Sequence, residues 1–161
     1  MSFTLLTGLV AATLFATASA ETHTIRFNNQ CGYGTPQLVY NGAAVSTGQD
    51  YTVDGSFSGI AYLQTGDCGL NGEECLLLEM TLINPTVPGG GSSADISLIA
   101  PHAFNVQGSF SYFNGCNNTG ANCADASCAA AFYQPDETEV QVACETDDVD
   151  LLIAFCADAT Q

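Results

Sequence analysis

A chain of 161 residues with 17 Asp and Glu against one Arg and no Lys carries a formal charge of −16 at pH 7. That balance excludes DNA, RNA, anionic lipid and acidic polysaccharide as partners, since each would need its own negative charge neutralised. Neutral glycans, cationic polymers and basic proteins stay open, as does the plainer reading that acidity keeps a secreted protein soluble.

The first element in chain order is a leader. Leu5 to Phe15 is apolar, and Ala18-Ser19-Ala20 supplies the small residues before a cut between Ala20 and Glu21, although Met1-Ser2-Phe3 lacks the usual Lys or Arg. Residues 1–20 therefore read as a secretory signal and 21–161 as one mature domain, long enough to bury a core. No stretch is long enough to span a bilayer, and the end Asp158-Ala159-Thr160-Gln161 lacks the apolar tail of a GPI signal. A soluble extracellular monomer with no membrane partner is expected.

The mature part reads as short strands between turns. Thr22 to Phe27 alternates, with Ile25 and Phe27 opposing Arg26, and His23 is expected in solvent. Leu38-Val39-Tyr40 runs into the turn signal Asn41-Gly42. Further candidates are Tyr51 to Val53, Ile60 to Gln64, Leu76 to Ile83, Ile96 to Ile99 and Phe110 to Phe113. The run from Pro88 to Ser93 reads as a loop rather than a domain linker, because the pieces on either side are too small to bury separate cores. Ala-rich Cys123 to Ala131 predicts one short helix. Val140 to Cys144 and Val149 to Cys156, divided by Glu145-Thr146-Asp147-Asp148, predict a closing hairpin. Short strands with Gly, Pro and Asn turns predict an all-β sandwich or barrel with little helix.

All eight cysteines (Cys31, Cys68, Cys75, Cys116, Cys123, Cys128, Cys144 and Cys156) follow the leader, and an even count in an exported chain predicts four disulfides. Spacing alone cannot choose their pairing. Zinc is disfavoured because Cys123 and Cys128 have no His or second close pair at finger spacing. Asp147, Asp148 and Asp150 lack the Gly and distal Glu of a calcium loop and read as a polar turn. No metal and no cofactor is expected. His102, after Pro101, reads as a turn histidine because no Ser or Cys nucleophile accompanies it. Asn117-Asn118-Thr119 is an N-glycosylation sequon, so Asn117 is expected to carry a glycan, whereas Pro85 blocks Asn84-Pro85-Thr86.

Two acids stand out by alternation. Leu76, Leu78, Met80 and Leu82 share a strand face, which leaves Glu79 beside Thr81 on the other; Asp95 and Ser97 oppose Ile96 and Leu98 in the same way. Both acids are expected on a polar face, which in a sandwich is often only the wet face.

Several segments, in order, resemble the thaumatin-like family. Thr24-Ile25-Arg26-Phe27-Asn28-Asn29-Gln30-Cys31 is similar to its opening strand and first cysteine, and Gln64-Thr65-Gly66-Asp67-Cys68 to an element after a core strand. Leu78-Glu79-Met80-Thr81-Leu82 and Asp95-Ile96-Ser97-Leu98-Ile99, leading to Phe104-Asn105-Val106, are similar to two core strands; Val140 to Cys144 with Leu151 to Cys156 resembles the final hairpin. With eight cysteines the chain looks like a reduced, fungal-type, secreted glycoprotein member: a thaumatin-like β-sandwich without the family's disulfide-rich lobe. The resemblance implies Cys31 paired with Cys156 and makes Cys68 with Cys75 plausible, leaving Cys116 with Cys144 and Cys123 with Cys128 as guesses.

Many family members bind β-1,3-glucan in an acidic cleft, and Glu79 and Asp95 match two of its acids. A further cleft Asp and an Arg of the family have no counterpart: Ala100-Pro101 stands where the Asp would fall, and the one basic side chain is Arg26. Without that cation, clustered carboxylates repel and their pKa values rise, which speaks against efficient catalysis. The resemblance therefore implies a binder of neutral cell-wall polysaccharide, with Glu79 and Asp95 accepting hydroxyl hydrogen bonds and a tyrosine such as Tyr62 stacking. The alternatives are an acidic interaction protein, an inhibitor or effector-like ligand of a basic secreted protein, and a weak endo-β-1,3-glucanase.

Overall fold

The computed structural model describes residues 20–161; the leader expected at 1–20 lies, except for Ala20, outside the described residues. Twelve strands follow in chain order: β1 (Thr22–Asn29), β2 (Thr35–Tyr40), β3 (Ala43–Ser46), β4 (Tyr51–Asp54), β5 (Phe57–Gln64) and β6 (Leu77–Leu82). The second half adds β7 (Ser92–Ser97), β8 (Gly108–Phe113), β9 (Gly120–Cys123), β10 (Ala131–Phe132), β11 (Val142–Cys144) and β12 (Asp150–Phe155).

Strands form where apolar side chains recur at every second residue, and they assemble into two sheets. One has the order β4-β1-β12-β8-β9, with β1 and β12 parallel and Ile25 opposite Leu151. The other runs β10-β7-β6-β5-β2-β3, with β11 also on β7. Ile25, Phe110 and Leu151 from the first sheet and Leu38, Leu78 and Ile96 from the second are fully or almost fully buried between them. Each such side chain contributes about 1.5–3 kcal/mol. The β2–β3 turn takes the form that Asn41-Gly42 promised, both residues having positive φ (51° and 75°).

Four disulfides staple the sandwich: Cys31–Cys156, Cys68–Cys75, Cys116–Cys144 and Cys123–Cys128. The first ties the ends of the parallel pair β1 and β12 across 125 residues of sequence, worth about 5 kcal/mol by loop-closure entropy.

Several expectations are corrected. Cys123 to Ala131 forms no helix: Cys123 and Cys128 are bonded with Cα atoms 5.2 Å apart, whereas five residues of helix advance about 7.5 Å. The closing hairpin is absent. β11 pairs antiparallel with β7, Val142 opposite Ala94, while β12 lies in the other sheet between β1 and β8. Glu145 to Asp148 is thus a crossover between sheets. β7 spans Ser92–Ser97, not Ile96 to Ile99, so the run read as loop from Pro88 already contributes its Ser92 and Ser93 to the strand. His23 is not solvated but fully buried, because it shares the inward face of Ile25 two residues on; its ring nitrogens reach Val149 O (2.6 Å) and Glu21 Oε1 (3.1 Å).

What positions the candidate site is the outer face of the second sheet. At one end, Val39, Tyr62, Cys75 and Leu77 form a small apolar cluster roofed by the loop that Cys68–Cys75 closes. Gly72 lets that roof approach: its φ is +80°, and a Cβ there would stand 2.5 Å from Leu77 Cδ1. Beyond the roof the face is open.

Candidate functional site

The open part of that face holds a pocket of about 380 Å³ whose floor is the antiparallel meander β5-β6-β7. Register makes it two rows: Ile60, Glu79 and Asp95 are cross-strand partners, and so are Ser58, Thr81 and Ser93. Gln141, the residue before β11, completes the rim. Ser58 and Thr81 hydroxyls are hydrogen-bonded at 3.2 Å. Most of the side chains that line the space are therefore oxygen-bearing.

Glu79 and Asp95 sit directly opposite each other, which places their Cβ atoms about 5 Å apart. They are not equally wet. Glu79 is half-buried, but Asp95 is only 7% exposed, contrary to the expected solvent face, because the β11 segment and Gln141 close over that edge. Asp95 Oδ2 is buried and has no hydrogen-bond partner among the described residues. Burial first, and then the charge of Glu79, push the Asp95 carboxyl up to about 6; the Gln141 side chain pulls the other way, and a hydrogen bond with Glu79 pushes it further up. On the facing sheet Tyr112 is held above the usual phenol range by burial and by the charge of Asp95, while its hydroxyl donates to Val142 O at 2.9 Å.

No cation relieves the pair. Arg26 is on the other sheet, bonded to Asp50 at 3.0 Å and lying 4.7 Å over the Phe113 ring. Two carboxyls facing each other across one strand pair titrate as a coupled pair. Glycoside hydrolysis sets two carboxyls about 5 to 10 Å apart, on either side of the bond to be cut. The pair is suited to accepting, and when singly protonated also donating, hydrogen bonds at one point of the pocket.

The other candidates lie elsewhere. Tyr62 is not available for stacking: its ring is 2% exposed under the disulfide-closed loop, with its hydroxyl donating to Leu70 O. His102 is in a turn, its Nδ1 2.9 Å from Gly72 O. Asp148 accepts from Thr22 N and from the Asn84 side chain, and Asp150 from Thr24 N, so both hold backbone in place. Asn117 is exposed in the β8–β9 turn. Ser58 and Gln141 were missed. Ser58 follows from the period-two pattern once β5 is extended back to Phe57, whereas Gln141 depends on the β11–β7 pairing, for which the sequence carries no signal.

No family model matches the chain. It is 31% identical, over 173 aligned positions, to the thaumatin-like pathogenesis-related protein 4 of Avena sativa, covering 92% of this chain and 94% of that protein. Among solved structures it is similar to a thaumatin-like xylanase inhibitor, with a TM-score of 0.53 and 19% identity, over 84% of this chain and 99% of the other. That likeness carries the fold. With identity of this level along nearly the whole of both chains, and a disulfide-stapled sandwich to match, the chain belongs to the thaumatin-like family.

Proposed function

We propose that the protein acts outside the cell as a binder of neutral cell-wall polysaccharide, β-1,3-glucan in particular, and not as an efficient hydrolase. The observation that carries this reading is the Glu79–Asp95 pair at the floor of an open pocket lined by Ser58, Thr81, Ser93 and Gln141. Such a set offers acceptors and donors to sugar hydroxyls, and the further Asp and the Arg of the family's cleft have no counterpart beside it. Four disulfides fit an oxidising, extracellular setting, and Asn117 is the proposed glycan site, on the other sheet from the pocket.

Co-sedimentation of the oxidised protein with insoluble β-1,3-glucan, chitin and cellulose, at low and high salt, tests the reading. Salt-resistant binding to β-1,3-glucan, lost in Glu79→Gln/Asp95→Asn, is the expected result. Absence of binding, or binding that salt abolishes, would overturn it in favour of the second reading, an acidic ligand of a basic secreted protein. That reading draws on the charge of −16 and on the structural neighbour named as a xylanase inhibitor; docking driven by charge fades as salt shortens the Debye length. Release of reducing sugar by wild type, lost in Glu79→Gln, would point instead to a weak endo-β-1,3-glucanase.

A further inference from the structure

The pocket has two carboxyls and no counter-charge. Asp95 is more than nine-tenths buried, lines the pocket and leaves Oδ2 without a partner, while Glu79 stands directly opposite. The chain holds one Arg and no Lys, and that Arg is committed to Asp50 on the other sheet. A buried carboxylate oxygen without a donor is costly, and the cost is relieved by whatever brings a donor to it, most of all a charged one.

A neutral sugar ring offers the carboxyl pair a hydroxyl. A ring with a free amine offers an ammonium, with three N–H donors and a positive charge, flanked by the same hydroxyls that suit Ser58, Thr81, Ser93 and Gln141. A lysine side chain would bring the ammonium on an apolar stem, and Ile60 is the main apolar side chain on the floor to receive it. We propose that this pocket takes an amino-sugar unit with its amine free, as in a deacetylated, glucosamine-type polymer, in preference to the same sugar acetylated or unsubstituted. The inference rests on the pocket being a polysaccharide site.

Protonation supports the choice without carrying it. An ammonium beside the pair would draw the raised Asp95 carboxyl back down, releasing a proton as it binds. Affinity for the amino sugar therefore rises with pH until the amine itself loses its proton, whereas affinity for the acetylated sugar lacks that rise.

Calorimetry with three oligosaccharides of equal length decides the matter: β-1,4-linked glucosamine, its N-acetylated counterpart and β-1,3-linked glucose, at about pH 6 and at two salt concentrations. The expected preference for free glucosamine over the acetylated oligomer is about tenfold or more, the value of one charge-assisted hydrogen bond in a buried setting. Asp95→Asn should remove the preference, and Asp54→Asn, which deletes the same charge from the exposed end of β4, should leave it unchanged. Equal affinity for the two amino-sugar forms overturns the inference and leaves the glucan reading intact. Failure of all three sugars overturns both. Equal losses in Asp54→Asn and Asp95→Asn, or equal binding of a short oligolysine peptide, would show only the attraction of a polyanion for any cation and would also overturn it.

Discussion

Replacing Asp95 with Asn should make the protein more stable at neutral pH, by an amount the structure sets. Asp95 is 7% exposed, and its carboxyl is pushed up to about 6 from an ordinary 3.8. Below pH 3.8 it is protonated whether the chain is folded or not, so it makes no pH-dependent contribution. Between 3.8 and 6 the folded state keeps a proton that the unfolded state has released, so stability falls as pH rises. Above 6 the full penalty is present, about 3 kcal/mol at 1.36 kcal/mol per pH unit of difference. Asparagine keeps the shape, carries no charge and can donate to Glu79. Urea and thermal unfolding of oxidised wild type and Asp95→Asn should give a variant about 3 kcal/mol more stable near pH 7, or roughly 10 °C in Tm for a domain of this size. The gap should close towards zero near pH 3.5. A variant no more stable than wild type at pH 7, or a gap that persists on acidification, would refute the burial and pairing of Asp95.

Glu79→Gln removes the like charge facing Asp95, so the Asp95 titration followed by carboxyl-selective NMR should move down from about 6. An unchanged midpoint would mean the two side chains do not interact. His23→Ala should cost about 2–4 kcal/mol in urea unfolding, since it opens a cavity and takes the ring nitrogen from the acceptor Val149 O, while Glu21 Oε1 keeps its bond from Asn84 N; a loss under about 0.5 kcal/mol would place His23 at the surface after all. Removing Cys31–Cys156 as a Ser pair should cost about 5 kcal/mol against about 2 kcal/mol for Cys123–Cys128, because the loops closed span 125 and 5 residues. Equal costs would show that strain or denatured-state structure, not loop closure, governs these bonds. Asn117→Gln should abolish a mobility shift of the protein secreted from a eukaryotic host, and wild-type protein without a glycan would remove that assignment.

The sequence was legible where one rule acted alone. Period-two alternation located β1 and β6, and Asn41-Gly42 marked the β2–β3 turn because few residue pairs tolerate positive φ twice. It misled where two rules competed. His23 lies at the same spacing from Ile25 as Ile25 from Phe27, so the alternation put it inside; the habit of exposing polar residues put it outside, and Glu21 with Val149 O made the inside tenable. Alanine content favoured a helix after Cys123, but a disulfide between Cys123 and Cys128 cannot span helix geometry. Strand partners at long range were not legible. Nothing local says that β11 leaves its sequence neighbour β12 to pair with β7, so neither Gln141 nor the burial of Asp95 was visible.

An acid on a wet strand face stabilises nothing and costs nothing, and the alternation alone allowed no more than that for Glu79 and Asp95. Burial changes the balance: at neutral pH Asp95 costs the fold about 3 kcal/mol, while four disulfides and a fully packed sandwich supply the margin. Among the described residues only the Gln141 side chain offsets part of that cost, while Oδ2 meets no donor and the lone arginine is on the other sheet. Strand register holds the Cβ atoms of the two acids opposite each other, so only side-chain rotation is left to relieve their repulsion. A ligand that donates to them recovers the penalty on binding, and one that brings positive charge recovers more. Unfolding with and without ligand measures that recovery directly. An amino-sugar oligomer should shift the wild-type Tm upward at pH 7 by more than it shifts that of Asp95→Asn, and equal shifts would assign the pair no part in binding.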